Sequence, residues 1–145
     1  MNQELKERGP AVKTAVTPTN DQISHQLVKY LEDRGVEYIF GLCGHTNIAV
    51  LAALANSSVK FINTRHEQVA AHMADGYARA KRTTAVVLSH LGPGLTNAST
   101  GVANAALDSI PMVVIAGDVP SHYYGKHPHQ EVFFFNDAAT TEIYT

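Results

Sequence analysis

The chain has 145 residues, 45% of them hydrophobic, which suits one ordinary domain with a single buried core. With 11 basic and 13 acidic side chains its formal charge is −2, so nothing marks a nucleic acid or an anionic membrane as its partner, and a small molecule is the default ligand. A single cysteine, Cys43, excludes an internal disulfide, no apolar run approaches the ~20 residues of a membrane span, and the chain reads as soluble and cytoplasmic.

Residues 1–20 are polar, contain Pro10 and Pro18, and lack the apolar core of a secretory signal, so they are expected to form a flexible lead-in. Thr19, Asn20 and Asp21 are capping candidates for a first helix, carried by Ile23, Leu27, Tyr30 and Leu31 and closed by Gly35. Val36 to Phe40 reads as a strand that stops at Gly41, and Ile48, Leu51, Ala52 and Leu54 follow at helical spacing. The unit repeats: strand Val59 to Ile62 with helix Glu67 to Ala80, then strand Thr84 to Leu88 with helix Leu95 to Leu107. Met112 to Ala116 is a fourth strand, and Ser121 to Gln130 is a loop rich in His, Tyr and Gly. Apolar strands alternating with helices predict an α/β fold, a parallel sheet covered by helices on both faces.

Ligands of such sheets settle where strands end, which singles out Gly41-Leu42-Cys43-Gly44, Arg65-His66-Glu67, His90 to Asn97, and Gly117 to Pro120. Gly92 and Gly94 bracket Pro93 at a helix start, where free N–H groups favour an anion or a polar heteroatom; taken alone, the segment reads first as a plain strand-to-helix turn. The segment is neither a dinucleotide fingerprint, since Asn97 replaces the third glycine, nor a Walker loop. Glu67 alone is accounted for by the helix dipole. No Cys/His spacing builds a closed metal site, so no metal ligand is assigned, and Cys43 reads as a small buried turn residue.

Taken together, three motifs in order carry a resemblance: Arg65-His66-Glu67-Gln68-Val69-Ala70-Ala71-His72-Met73-Ala74-Asp75-Gly76-Tyr77-Ala78-Arg79, Gly92-Pro93-Gly94-Leu95-Thr96-Asn97, and Ala106-Leu107-Asp108-Ser109-Ile110-Pro111. From Ile23 to Val132 the chain resembles the N-terminal, pyrimidine-binding domain of thiamine-diphosphate enzymes such as acetolactate synthase, glyoxylate carboligase and benzoylformate decarboxylase. The resemblance implies that Glu67 hydrogen-bonds the N1′ nitrogen of the cofactor's aminopyrimidine from a pocket of low dielectric. It further implies that Gly41, Leu42, Cys43 and Gly44 give backbone contacts to the pyrimidine, that Gly92, Pro93, Gly94 and Asn97 line the pocket, and that Gln130 lies near the substrate channel. The implied reaction is decarboxylation or carboligation of a small 2-oxo acid. Cys43 stands where acetolactate synthases have proline, and His90-Leu91 where they have Thr-Ser, which leaves both the acceptor substrate and FAD open. His90 is a candidate proton shuttle, with a purely structural histidine as the other reading.

The family binds diphosphate and Mg²⁺ through a Gly-Asp-Gly … Asn-Asn signature that does not occur in these residues, so the chain is expected to be inactive alone and to act in a homodimer or tetramer. The expected domains are therefore the lead-in 1–20, the pyrimidine domain 21–132, and a non-native tail 133–145. Asn136 to Thr145 resembles a translated sequencing adapter; the competing reading keeps Asp137-Ala138-Ala139 and Glu142-Ile143-Tyr144 as genuine. Two rival functions are the small subunit of a split decarboxylase of the sulfopyruvate decarboxylase kind, and a non-catalytic nucleotide-binding module.

Overall fold

The computed structural model describes residues 22–126 and 128–130, so the lead-in, the proposed caps Thr19, Asn20 and Asp21, and the tail 133–145 lie outside the described residues. Four strands, β1 (Tyr38–Gly41), β2 (Lys60–Asn63), β3 (Ala85–His90) and β4 (Met112–Gly117), form one sheet in the order β2-β1-β3-β4. All three pairings are parallel, with Gly41 beside Asn63 and Leu88, and His90 beside Gly117. Among the described residues four α-helices, α1 (Ile23–Asp33), α2 (Ile48–Leu54), α3 (Glu67–Lys81) and α4 (Leu91–Leu107), complete the expected α/β alternation.

Strand alternation sorts the side chains onto two faces. Ile39, Val86 and Leu88 pack with Val28 and Leu31 of α1 and Ala53 and Leu54 of α2. On the other face Phe40, Ala85 and Val87 pack with Ala70, Ala74 and Ala78 of α3. The central strand β3 is buried over five of its six residues, and each enclosed Val or Leu there contributes about 1.5–3 kcal/mol. The outer strands β2 and β4 are only partly covered.

The helix ends show why the boundaries fall where they do. Gly35 takes φ +76°, the Val36 N–H bonds Leu31 O at 3.1 Å and the Gly35 N–H bonds Glu32 O at 2.9 Å, a Schellman closure that glycine makes without strain. Gln22 stands at the N-cap with no side-chain bond. Helix α4 starts at Leu91 rather than Leu95, so Gly92, Pro93 and Gly94 form its first turn instead of a turn ahead of it. Pro93 fits there because the first-turn N–H groups have no helical acceptor to lose. Leu91 makes the bend from β3 into the helix with φ +54°, a strained conformation for a side-chain-bearing residue.

Small residues bring α3 and α4 together: Ala71, Ala98, Gly101 and Ala105 are all buried. A Cβ at Gly101 would lie 2.6 Å from the Ala71 Cβ and 3.0 Å from the His72 backbone nitrogen. The same two helices are tied by Asp75, which is 6% exposed and accepts from Arg79 Nε and Asn104 Nδ2, both at 2.8 Å.

Candidate functional site

From β1 the chain moves outward to β2 and then returns past β1 to β3, so the sense of winding reverses between the carboxyl ends of β1 and β3. Parallel α/β sheets open a crevice at that reversal. The turn Gly41–Gly44 borders it on one side and the Ser89–Gly94 segment on the other.

Glu67 occupies the first position of α3 and is 6% exposed. Two groups fix its approach. The imidazole of His66, the N-cap, accepts from the Gln68 N–H at 3.2 Å. Buried Thr64 places its Oγ1 3.1 Å from Gly41 O and 3.0 Å from His66 O, joining the end of β1 to the start of α3. One carboxylate oxygen, Oε2, accepts from Asn97 Nδ2 at 3.1 Å. The other, Oε1, faces Gly94: a Cβ there would sit 2.9 Å from Oε1 and 2.7 Å from Ser89 Oγ. The missing side chain at Gly94 is what lets the carboxyl, the hydroxyl and the helix start share one small space.

The opposite wall is the turn after β1. Fully buried Asn47 holds it twice, accepting from the Gly44 N–H at 2.9 Å and donating Nδ2 to Leu42 O at 3.0 Å. Gly41 admits no side chain, since a Cβ would lie 2.2 Å from Leu88 O. Cys43 was expected to be buried, but it is exposed. Asn47 secures the turn through its backbone from the inside, so the Cys43 side chain contributes nothing to the core.

Gly44 meets the His90 ring; a Cβ would fall 2.2 Å from its Cγ. His90 Nδ1 lies 2.8 Å from Thr46 Oγ1, and the ring stands edge-on to His45 with centroids 4.6 Å apart. Thr46 also fills the space over Gly117, so the ends of β1, β3 and β4 are keyed to each other. Burial first, and the neighbouring His45 second, hold the His90 imidazolium below its ordinary value of 6.5. The Glu67 carboxylate and a side-chain hydrogen bond that the ring donates to Gln130 pull the other way, and His129 adds to the lowering.

The structure thus brings Glu67, Gly94 and Asn97 into one cluster, and Gly44, His90 and Gln130 into another that senses the charge of Glu67. Gly41, Leu42 and Cys43 lie in the turn, and Gly92 and Pro93 in the first turn of α4. Thr46, Asn47, Thr64 and Ser89 are the site residues that sequence reasoning missed. Ser89 carries a signal, since it lies near a strand end, where ligand-facing residues collect; β3 runs to His90, two residues past the Leu88 that the apolar pattern marks. Among the described residues no group of three His, Cys, Asp or Glu side chains could hold a metal ion, and no helix is long and apolar enough to cross a membrane.

The family described as thiamine pyrophosphate enzyme, N-terminal TPP binding domain, matches residues 21–140. The chain belongs to this family. Among curated proteins it is 47% identical over 109 residues to the acetolactate synthase large subunit of Buchnera aphidicola subsp. Acyrthosiphon pisum, covering 74% of the chain and 19% of that protein. The acetolactate synthase large subunit of Haemophilus influenzae is 44% identical over 109 residues, with 74% and 19% covered. The probable acetolactate synthase large subunit of Methanocaldococcus jannaschii is 44% identical over 106 residues, with 73% and 18% covered. This TPP-binding domain therefore spans about a fifth of the length of the relatives it matches.

Proposed function

We propose that the chain receives the aminopyrimidine of thiamine diphosphate within a 2-oxo acid carboligase or decarboxylase of the acetolactate synthase kind. One observation carries the reading. Glu67 is a buried carboxyl at the winding reversal of the sheet, with Oε2 held by Asn97 and Oε1 beside the space that Gly94 leaves.

The residues present suit the group. A flat heteroaromatic ring with basic nitrogens calls for one enclosed acid, a floor without side chains and backbone donors at its rim. Glu67 is such an acid, Gly94 leaves a floor without a side chain, and the turn Gly41-Leu42-Cys43-Gly44, whose Gly44 N–H is held by Asn47 and whose Leu42 N–H reaches Leu88 O, presents the Cys43 backbone at the rim. Gly92, Pro93 and Asn97 would form the adjoining wall. Thiamine diphosphate, when bound, supplies the carbon nucleophile and electron sink for a 2-oxo acid. The chain's own part is narrower: Glu67 makes the hydrogen bond to the ring nitrogen, and the α3–α4 contact keeps that carboxyl in place. His90, neutral at pH 7 because its proton affinity is lowered, is a base within the same crevice and accepts a proton from substrate.

In this reading the diphosphate and its Mg²⁺ are bound by a Gly-Asp-Gly … Asn-Asn segment of a second subunit, so the unit of activity is a homodimer or tetramer. Val69 and Met73, 50% and 42% exposed on α3, support an apolar contact surface near the site. FAD accompanies the protein if its acceptor chemistry is that of acetolactate synthase, and the compartment is the cytoplasm. Calorimetric titration with thiamine diphosphate and with its free aminopyrimidine moiety tests the proposal. Glu67→Gln is expected to weaken both at least tenfold, the worth of one hydrogen bond to a charged group. Binding unaffected by that change refutes the role of Glu67, and tight ATP binding in its place would favour a nucleotide module.

A further inference from the structure

Ser89 is fully buried at the end of β3, and its hydroxyl has no hydrogen-bond partner among the described residues. A buried hydroxyl without a partner is costly and rare, so such a group calls for a reason. Its surroundings supply one. Ser89 Oγ and Glu67 Oε1 lie 2.7 Å and 2.9 Å from one point, the position of a Cβ that Gly94 lacks. No described residue bonds Oε1, whereas Oε2 is already taken by Asn97. The two oxygens are therefore no more than 5.6 Å apart, a gap that one bridging water or a change of the Ser89 side-chain rotamer closes.

We infer that Ser89 is a positioning residue for Glu67: its hydroxyl donates to Oε1, directly or through one water, as Asn97 donates to Oε2. The carboxyl is then gripped on both oxygens, and its plane is fixed before a ligand arrives. Gly94 is required by the same arrangement, because any side chain there would part the two oxygens. The inference about ligand rests on the cofactor reading above; the Ser89–Glu67 contact does not.

The experiment separates the two. In the 145-residue chain the side-chain carboxyl carbon of Glu67 is labelled with ¹³C and assigned by its loss in Glu67→Gln. Ser89→Ala should displace that resonance and lower the Tm, and the Tm change should vanish when Ser89→Ala is made in the Glu67→Ala background, which leaves no side-chain oxygen to receive the hydroxyl. The free aminopyrimidine should bind Ser89→Ala about tenfold more weakly. An unmoved resonance, together with a Tm that rises because an unpartnered hydroxyl has been removed, overturns the inference. A displaced resonance in a chain that binds no aminopyrimidine upholds the contact and overturns the cofactor reading instead.

Discussion

Gly101 and Gly76 are both interior helix glycines, yet alanine should act on them with opposite sign. In a helix interior Gly→Ala is worth about 1 kcal/mol in favour of alanine, because glycine loses more backbone freedom on folding. At Gly76, on α3, a new Cβ meets nothing within 4 Å, so the gain should appear nearly whole. At Gly101 the new Cβ would lie 2.6 Å from the Ala71 Cβ, with Ala71 C and His72 N both at 3.0 Å. None of these atoms can rotate away, so α3 and α4 must separate. Overpacking of this kind costs about 1–3 kcal/mol, which offsets the helix gain and leaves Gly101→Ala destabilised by up to about 2 kcal/mol. Urea unfolding followed by circular dichroism measures both changes, and a stabilised Gly101→Ala refutes the close helix contact. The separation also has a functional consequence, since α3 carries Glu67 and α4 carries Asn97, whose bond is 3.1 Å. Gly101→Ala should therefore weaken aminopyrimidine binding, whereas Gly76→Ala should not.

Two further outcomes are expected. Because the folded His90 binds its proton less readily than an unfolded histidine, stability is fully kept above the ordinary value of 6.5 and is lost as pH falls below it toward the depressed folded value; an NMR titration of the His90 ring should lie below 6.5 and move upward in His45→Ala, and a midpoint above 6.5 would contradict the assigned burial. Asn47→Ala removes both side-chain bonds that hold the turn, at a cost of about 2 kcal/mol; hydrogen exchange at the Gly44 amide should quicken, and unchanged exchange would show that the turn does not depend on Asn47.

The fold was legible because strand and helix periodicities alternate cleanly and the strands are apolar on both sides, which only a covered parallel sheet explains. The boundaries failed where local chemistry misled. A Gly-Pro-Gly run reads as a turn, but proline costs nothing in the first helical turn, and the bend falls instead on Leu91, a residue whose type gives no hint of φ +54°. Glu67 and Asn97 stood out through their motifs. Thr46, Asn47, Thr64 and Ser89 did not, because each acts through a partner remote in sequence and a lone Ser, Thr or Asn has many roles.

The strand order explains why so much of the site depends on residues of the latter kind. Glu67, Ser89 and Asn97 are brought together only because α3 returns across β1 to β3, and each is fixed by something from a different crossover. Thr64 ties the start of α3 to β1, Asn97 reaches Glu67 from α4, and Thr46 spans from the β1 turn to His90 and Gly117. A carboxyl held in this way needs no strong interaction of its own. Several bonds of about 1 kcal/mol, arriving from separate elements, restrict it more than one strong ion pair would, and each carboxyl oxygen keeps a second lone-pair direction for a ligand.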